Sequence, residues 1–290
     1  MLTIMEKQNF TFRKLTFPEF EVLVDWAIKE GWNPGLEDAS VFWATDPDAF
    51  YGYFEKETMI GGGSIVSYSG QMGFMGFFIV RPDYRAKGLG TDLWFLRRNT
   101  LLSRLQPNAP IAMDGILAMQ PFYQKGGFVI DYSDERYVKT GSYYPSDPSV
   151  QPTTANDFEA IVALDQECFG VARPHFYKLW LGAAQTKSFS YIENGVLLGV
   201  AVIRPAQTGF RIGPLYAENE AVAKALYERC LSEAIDQPVC LDIPMSNKAV
   251  VNLVKTYQAT FVFECARMYY GAPPKTNINK VFGLTTFEIG

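Results

Sequence analysis

GFFIVRPDYRAKGLGTDLWFLRRNTLL, residues 76–102, is the stretch of this chain that names a chemistry. Phe77, Phe78, Ile79 and Val80 form a continuous apolar, β-favouring run. Pro82 ends it, and Arg85, Ala86, Lys87, Gly88, Leu89 and Gly90 follow before an amphipathic stretch from Thr91. The order is strand, glycine loop, helix. Gly88 and Gly90 lack Cβ atoms, so the backbone can turn sharply and approach a ligand where the N–H groups of the next helix's first turn converge. Such a terminus favours an anion, and Arg85 and Lys87 add positive charge. A Walker loop needs Gly-Lys-Ser/Thr after four intervening residues, and a dinucleotide fingerprint needs a third glycine near Leu93; neither is present.

What remains, Arg-x-x-Gly-x-Gly just after a strand ending in Val-x-Pro, resembles motif A of the GNAT N-acyltransferase superfamily. The other reading is an ordinary strand-to-helix turn with surface basic residues. A further segment favours the resemblance. About thirty residues on, Pro110 to Ile116 reads as a strand, and Pro121-Phe122-Tyr123-Gln124-Lys125-Gly126-Gly127-Phe128 reads as a short helix ending at glycine. Its order and distance are similar to the GNAT end, where Tyr-x-Lys-x-Gly-Phe closes the cofactor cleft. The family often has Asn and Ala seven and four residues before that tyrosine, and here they are Ile116 and Met119.

The resemblance implies acetyl-CoA as co-substrate, with no metal. Its pyrophosphate would rest on Arg85, Ala86, Lys87, Gly88, Leu89, Gly90 and Thr91. Its pantetheine and thioester carbonyl would meet backbone N–H groups near Phe78, Ile79 and Val80. Tyr123 would protonate the departing thiolate, or else pack with its hydroxyl at the cleft edge.

The chain has 290 residues, 48% apolar, 20% charged and 15% aromatic, which places it among globular proteins of about two domains. A net charge of −5 argues against general nucleic-acid binding and is compatible with a cationic amine. No apolar run reaches ~18 residues, and the first fourteen residues carry polar groups throughout, so neither a membrane span nor a leader is expected and the location reads as cytoplasmic. Cys168, Cys230, Cys240 and Cys265 are widely spaced and His175 is the single histidine, which argues against a zinc site, a disulfide framework or a histidine triad.

Turn formers at residues 143–149 separate two periodic regions, giving expected domains 1–144 and 149–290. The C-terminal region reads as a worn copy of the N-terminal one. Gly76-Phe77 matches Gly209-Phe210, 133 residues on; Asp114 matches Asp242, 128 on; Phe128-Val129 matches Phe261-Val262, 133 on. Hairpins around Asn194-Gly195 and around Glu55-Lys56-Glu57 correspond as well. Under the 133-residue offset Arg85, Gly88 and Gly90 become Glu218, Ala221 and Ala223, a turn that would repel a pyrophosphate. The combination resembles tandem-GNAT bacterial proteins with a degenerate C-terminal acetyltransferase-like domain. The strings from Arg211 to Ala217, Asp242-Ile243-Pro244 with Asn247, and Phe282-Gly283-Leu284-Thr285 are similar to its C-terminal signatures. The implied fold is α/β (α+β): two tandem GNAT-like domains, each a mixed, mostly antiparallel sheet flanked by helices. One active site per chain is expected.

In a GNAT arrangement the acceptor lies under the loop after the first helix, here Glu30-Gly31-Trp32-Asn33-Pro34-Gly35. Trp32 would form a face of the amine pocket or cover the local core, Asn33 would orient the amine, and Glu30 would attract it or remain a solvated charge. Asp114, in an apolar strand where the central strands of a GNAT sheet part, is either an ammonium ligand and base or a strand-end cap. The expected activity is direct transfer of an acetyl group to a small-molecule primary amine. The alternatives are a CoA-binding regulator or scaffold without turnover, and a protein lysine acetyltransferase. The acceptor's identity and the oligomeric state stay open.

Overall fold

The computed structural model describes residues 10–290. Residues 1–9, on which part of the leader reading rests, lie outside them. The chain runs β1 (Phe10–Lys14), α1 (Phe17–Lys29), α2 (Asp38–Thr45), β2 (Phe50–Glu55), β3 (Thr58–Tyr68), β4 (Met72–Val80), α3 (Leu89–Leu102), β5 (Ile111–Ile116), α4 (Gln120–Lys125) and β6 (Val129–Thr140). It then repeats that order as β7 (Val150–Pro152), α5 (Phe158–Phe169), α6 (Pro174–Gly182), β8 (Lys187–Glu193), β9 (Val196–Pro205), β10 (Phe210–Ala217), α7 (Glu220–Ser232), β11 (Pro238–Pro244), α8 (Lys248–Thr256) and β12 (Thr260–Tyr270). A short β13 (Val281–Gly283) follows. Among the described residues no helix is long and apolar enough to cross a membrane.

Local chemistry explains the elements. The Glu19 carboxylate accepts the Thr16 N–H at 2.8 Å and so caps the start of α1. Phe20, Leu23, Val24 and Ala27 then repeat at helical spacing and are buried, with the Phe20 ring 3.8 Å from that of Phe50. Asn194 and Gly195 take positive φ at the turn between β8 and β9, as a tight hairpin requires.

One sheet joins everything, in the order β1-β2-β3-β4-β5-β12-β6-β11-β10-β9-β8-β7. Among the described residues only the β4/β5 and β10/β11 ladders are parallel; the other ladders are antiparallel. The last strand of each repeat is exchanged. β12 completes the first half-sheet against β5, and β6 completes the second against β11. A buried ion pair locks each exchange. Asp114 on β5 faces Arg267 on β12 and accepts from Nε at 2.6 Å and Nη2 at 3.1 Å, while Asp242 on β11 faces Arg136 on β6 and accepts at 2.5 and 2.8 Å.

The two repeats differ at the strand-to-helix junction. In β4, Phe77 and Phe78 bulge opposite Gly63, and in β10, Gly213 and Pro214 bulge opposite Val202. Equating the bulges sets Phe77 with Gly213, 136 residues on, yet the helix starts Leu89 and Glu220 are only 131 apart. Five residues of the loop are therefore missing from the second copy. This corrects the uniform offset: Arg85 falls in the stretch that the second copy lacks, and by helix start Gly88 and Gly90 align with Asn219 and Ala221, not with Ala221 and Ala223. Asn219 caps the second helix with its own side chain, its Oδ1 accepting Ala221 and Val222 N–H at 3.0 and 3.1 Å. Asn219→Ala is expected to cost about 1 kcal/mol of stability, read from the urea unfolding midpoint.

Candidate active site

The parallel pair β4/β5 is joined only at Gly73–Ile111 and Phe74–Ala112; beyond them the strands part. The gap opens into a cavity of about 450 Å³. Its walls include Phe78, Ile79, Val80, Arg85, Ala86, Gly88, Gly90 and Thr91 from β4 and the loop and helix start that follow, Met113, Asp114 and Tyr123 from the second splayed strand and α4, and Trp32, Phe263, Phe287 and Glu288. The equivalent gap between β10 and β11 is filled by the protein itself. β13 lies against β10, pairing Leu215 with Gly283, and the Leu284 N–H donates to the Asp242 carbonyl at 2.8 Å. Asn247 anchors this insert by donating from Nδ2 to the Val281 carbonyl at 2.9 Å. The C-terminal signature residues thus build a plug.

At the open gap Gly88 stands at the N-cap of α3, its φ of 84° a left-handed conformation suited to glycine, and no side chain caps the helix's first turn. Uncapped N–H groups beside Arg85 are the donor set an anionic phosphate requires. Arg85 is not idle in this arrangement. Its Nε donates to the Val80 carbonyl at 2.8 Å, and its Nη2 is ion-paired with Glu30 across the cavity mouth. Lys87 and Leu89 stand apart from the cavity wall: the Lys87 ammonium lies 5.2 Å from the Tyr84 ring centroid, and Leu89 is buried with Tyr53, Ile60 and Leu93.

Tyr123 packs among Trp94, Phe78 and Phe122, with ring centroids 6.2, 6.4 and 5.6 Å away. Burial raises its phenol to about 12, with Arg97 opposing, so the hydroxyl carries its proton at neutral pH. That is the state a proton donor needs.

The acceptor-side expectations fare unevenly. Trp32 does line the cavity, its carbonyl accepting from Arg136 Nη1 at 2.8 Å. Asn33 does not; it clasps the other repeat, its Nδ2 donating to the Thr208 carbonyl at 3.0 Å and its Oδ1 accepting the Thr208 N–H at 2.8 Å. Glu30 is engaged by Arg85. Asp114 lines the cavity, but both of its oxygens are held by Arg267, and the second copy repeats the arrangement with Asp242 and Arg136. A device present in both the open and the plugged copy serves the sheet. His175 starts α6 and hydrogen-bonds the Ala44 carbonyl through Nε2, remote from the cavity walls.

Glu288 was not anticipated. The tail that leaves β13 crosses to the first repeat, where the Ser64 hydroxyl donates to the Glu288 carbonyl at 3.2 Å and accepts the Gly76 N–H at 3.1 Å. Gly76 must be glycine for this contact, since a Cβ there would lie 1.9 Å from the Glu288 carbonyl oxygen. Arg211 Nη1 donates to Oε1 of Glu288 at 3.2 Å, while Oε2 is buried without a hydrogen-bond partner. Position near the end of the chain gave no pattern by which a sequence reading could find it.

A splayed parallel pair, a bulged strand and a bare helix N-terminus beside a protonated tyrosine define the class: an acyltransferase fold, duplicated, with one cleft open and one plugged. Residues 10–105 match the model of the acetyltransferase (GNAT) family and residues 161–283 that of a GNAT acetyltransferase domain. The chain belongs to the GNAT acyltransferases, with two such domains in tandem. It is 28% identical over 289 residues to the holothin acyltransferase of Pseudoalteromonas sp. strain SANK 73390, covering 99% of this chain and 97% of that one. In fold it is similar to a candidate acetyltransferase from Pyrococcus horikoshii (TM-score 0.83, 20% identity, 98% and 96% of the two chains). It is also similar to a tandem GNAT protein from the clavulanic acid biosynthesis pathway (TM-score 0.63, 11% identity, 91% and 99%).

Proposed function

We propose that this protein transfers an acetyl group from acetyl-CoA to a primary amine of a small molecule, at the open cleft only. The observation that carries the reading is the contrast between the repeats: one gap is an open cavity with a bare helix terminus and Tyr123 in its wall, the other is filled by β13 and its helix capped by Asn219. The residues fit the nucleotide. The Gly88–Thr91 turn and Arg85 would hold the pyrophosphate, and N–H groups near Phe78, Ile79 and Val80 would hold the pantetheine and polarise the carbonyl. Acetyl-CoA supplies the activated acyl group as a thioester. The protein supplies position, worth ~7–11 kcal/mol in favourable cases, and donors aimed at the developing negative charge, worth ~3–4 kcal/mol. Tyr123 protonates the leaving sulfur. Walls built from Trp32, Phe263 and Phe287 favour a compact acceptor over the open groove a protein lysine requires.

Arg85→Glu places a second carboxylate beside Glu30 at the pyrophosphate end. Calorimetric titration with CoA is expected to show at least a tenfold loss of affinity. Unchanged affinity would sink the assignment of this loop. Thiol release across an amine panel separates an enzyme from a CoA-binding regulator, which would bind CoA and release no thiol above background.

A further inference from the structure

We propose that Glu288, carried into the first repeat by the tail of the second, is the group that binds the ammonium of the acceptor and takes its proton, and that the acceptor is a compact aromatic primary amine. This rests on the acyl-transfer reading above and deepens it.

Three acidic side chains line the cavity: Glu30, Asp114 and Glu288. Glu30 is paired with Arg85, and Asp114 is clamped through both oxygens by Arg267. Of the three, Glu288 alone keeps a buried oxygen without a partner: Oε1 meets Arg211, Oε2 meets nothing, and the side chain is 3% exposed. An unpaired carboxylate oxygen in so dry a place is costly unless a cation or donor meets it there. Its location is also apt. The Glu288 carbonyl is tied through Ser64 to Gly76, the residue just before the Phe77–Phe78 bulge where the thioester carbonyl would be held. The backbone that carries the carboxylate is thus fixed next to that bulge, and the residue lines the same cavity.

The surrounding wall selects the rest of the molecule. Phe263 and Phe287 lie 5.7 Å apart, and the Arg136 guanidinium covers both at 4.7 and 5.5 Å from their centroids. Arg136 is itself held by Asp242 and by the Trp32 carbonyl, so one guanidinium fixes three aromatic residues of the cavity wall. An aromatic amine would lay its ring against these faces and turn its nitrogen to Glu288. The ammonium first gives one proton to Glu288, which passes it to solvent. The neutral nitrogen then forms its bond to the acyl carbon as the carbon–sulfur bond breaks. Its surplus proton goes to Glu288, the sulfur takes the proton of Tyr123, and solvent restores the phenol.

The test uses the full chain with benzylamine and 2-phenylethylamine as probes, and putrescine as a polar comparison. Wild type is expected to prefer the aromatic amines at least tenfold in kcat/KM. Glu288→Gln is expected to lower kcat for them at least 100-fold with CoA affinity within twofold, and Glu288→Asp to recover part of the loss. In calorimetry on the CoA-bound protein, Glu288→Gln should weaken benzylamine at least tenfold while binding of benzyl alcohol, a neutral analogue, stays the same. A Gln variant within threefold of wild-type turnover, an equal loss for amine and alcohol, or no preference for aromatic amines overturns the proposal. Absence of CoA binding and of thiol release with every amine would instead overturn the acyl-transfer reading beneath it.

Discussion

Replacing Tyr123 with phenylalanine is expected to lower turnover by about 10²–10⁴-fold, or ~2.7–5.4 kcal/mol of barrier, with CoA affinity unchanged. The substitution removes one oxygen and leaves the ring among Trp94, Phe78 and Phe122, so the cavity keeps its shape. What disappears is a proton donor in a dry wall. Since burial raises the phenol to about 12, wild-type activity should not fall from loss of this proton at any pH below about 10. Steady-state kinetics, with calorimetry for CoA, checks both statements. An unchanged rate in the variant would leave Tyr123 as cleft packing only.

Arg267→Met should be the most destabilising substitution of the set, by about 3–5 kcal/mol in urea unfolding, because it leaves the Asp114 carboxylate buried without its cation. A neighbouring carboxyl makes matters worse. Asp134, on the adjacent β6, is fully buried, and burial together with Asp114 raises its carboxyl well above the usual carboxylate range, because two carboxylates in one dry site oppose each other's ionisation. The defect should depend on pH with a definite sign. Burial already raises the Asp114 carboxyl, with Arg267 opposing; without that opposition its folded-state pKa rises further above the unfolded value of ~3.9. A raised carboxyl costs nothing below the unfolded pKa and progressively more as pH climbs through the folded one, so the variant should be less impaired at pH 5 than at pH 8. Asp114→Asn combined with Arg267→Met should recover most of the loss, since no uncompensated charge then remains. Because β12 is the exchanged strand, joined to β5 and β6, the single variant should still unfold in one transition.

Residues 76–102 were legible because their chemistry is local: an apolar run, a proline stop, two glycines and a helix lie within hydrogen-bond reach of one another along the chain. The duplication was legible too, since copied strands keep their apolar pattern. Three features were not. The pairing that holds Asp114 was hidden because its neighbour, Arg267, lies 153 residues away on a strand borrowed from the other repeat. The uniform offset failed because a deletion and a bulge move residues without altering composition. Asn33 was misplaced because an amide in a turn has the same sequence signature whether it meets a ligand or the Thr208 backbone of the other repeat.

The family, the doubled fold and the loop at Arg85, Gly88 and Gly90 follow from the order of residues alone, because short-range geometry is written in short-range sequence. What fills the second cleft, and which carboxylate keeps a buried oxygen without a partner in the first, was decided only in three dimensions. The plug at β13 and the arrival of Glu288 beside Gly76 depend on a tail that leaves one repeat and ends in the other. Contacts between segments more than two hundred residues apart, such as Ser64 with Glu288, leave no periodicity to read.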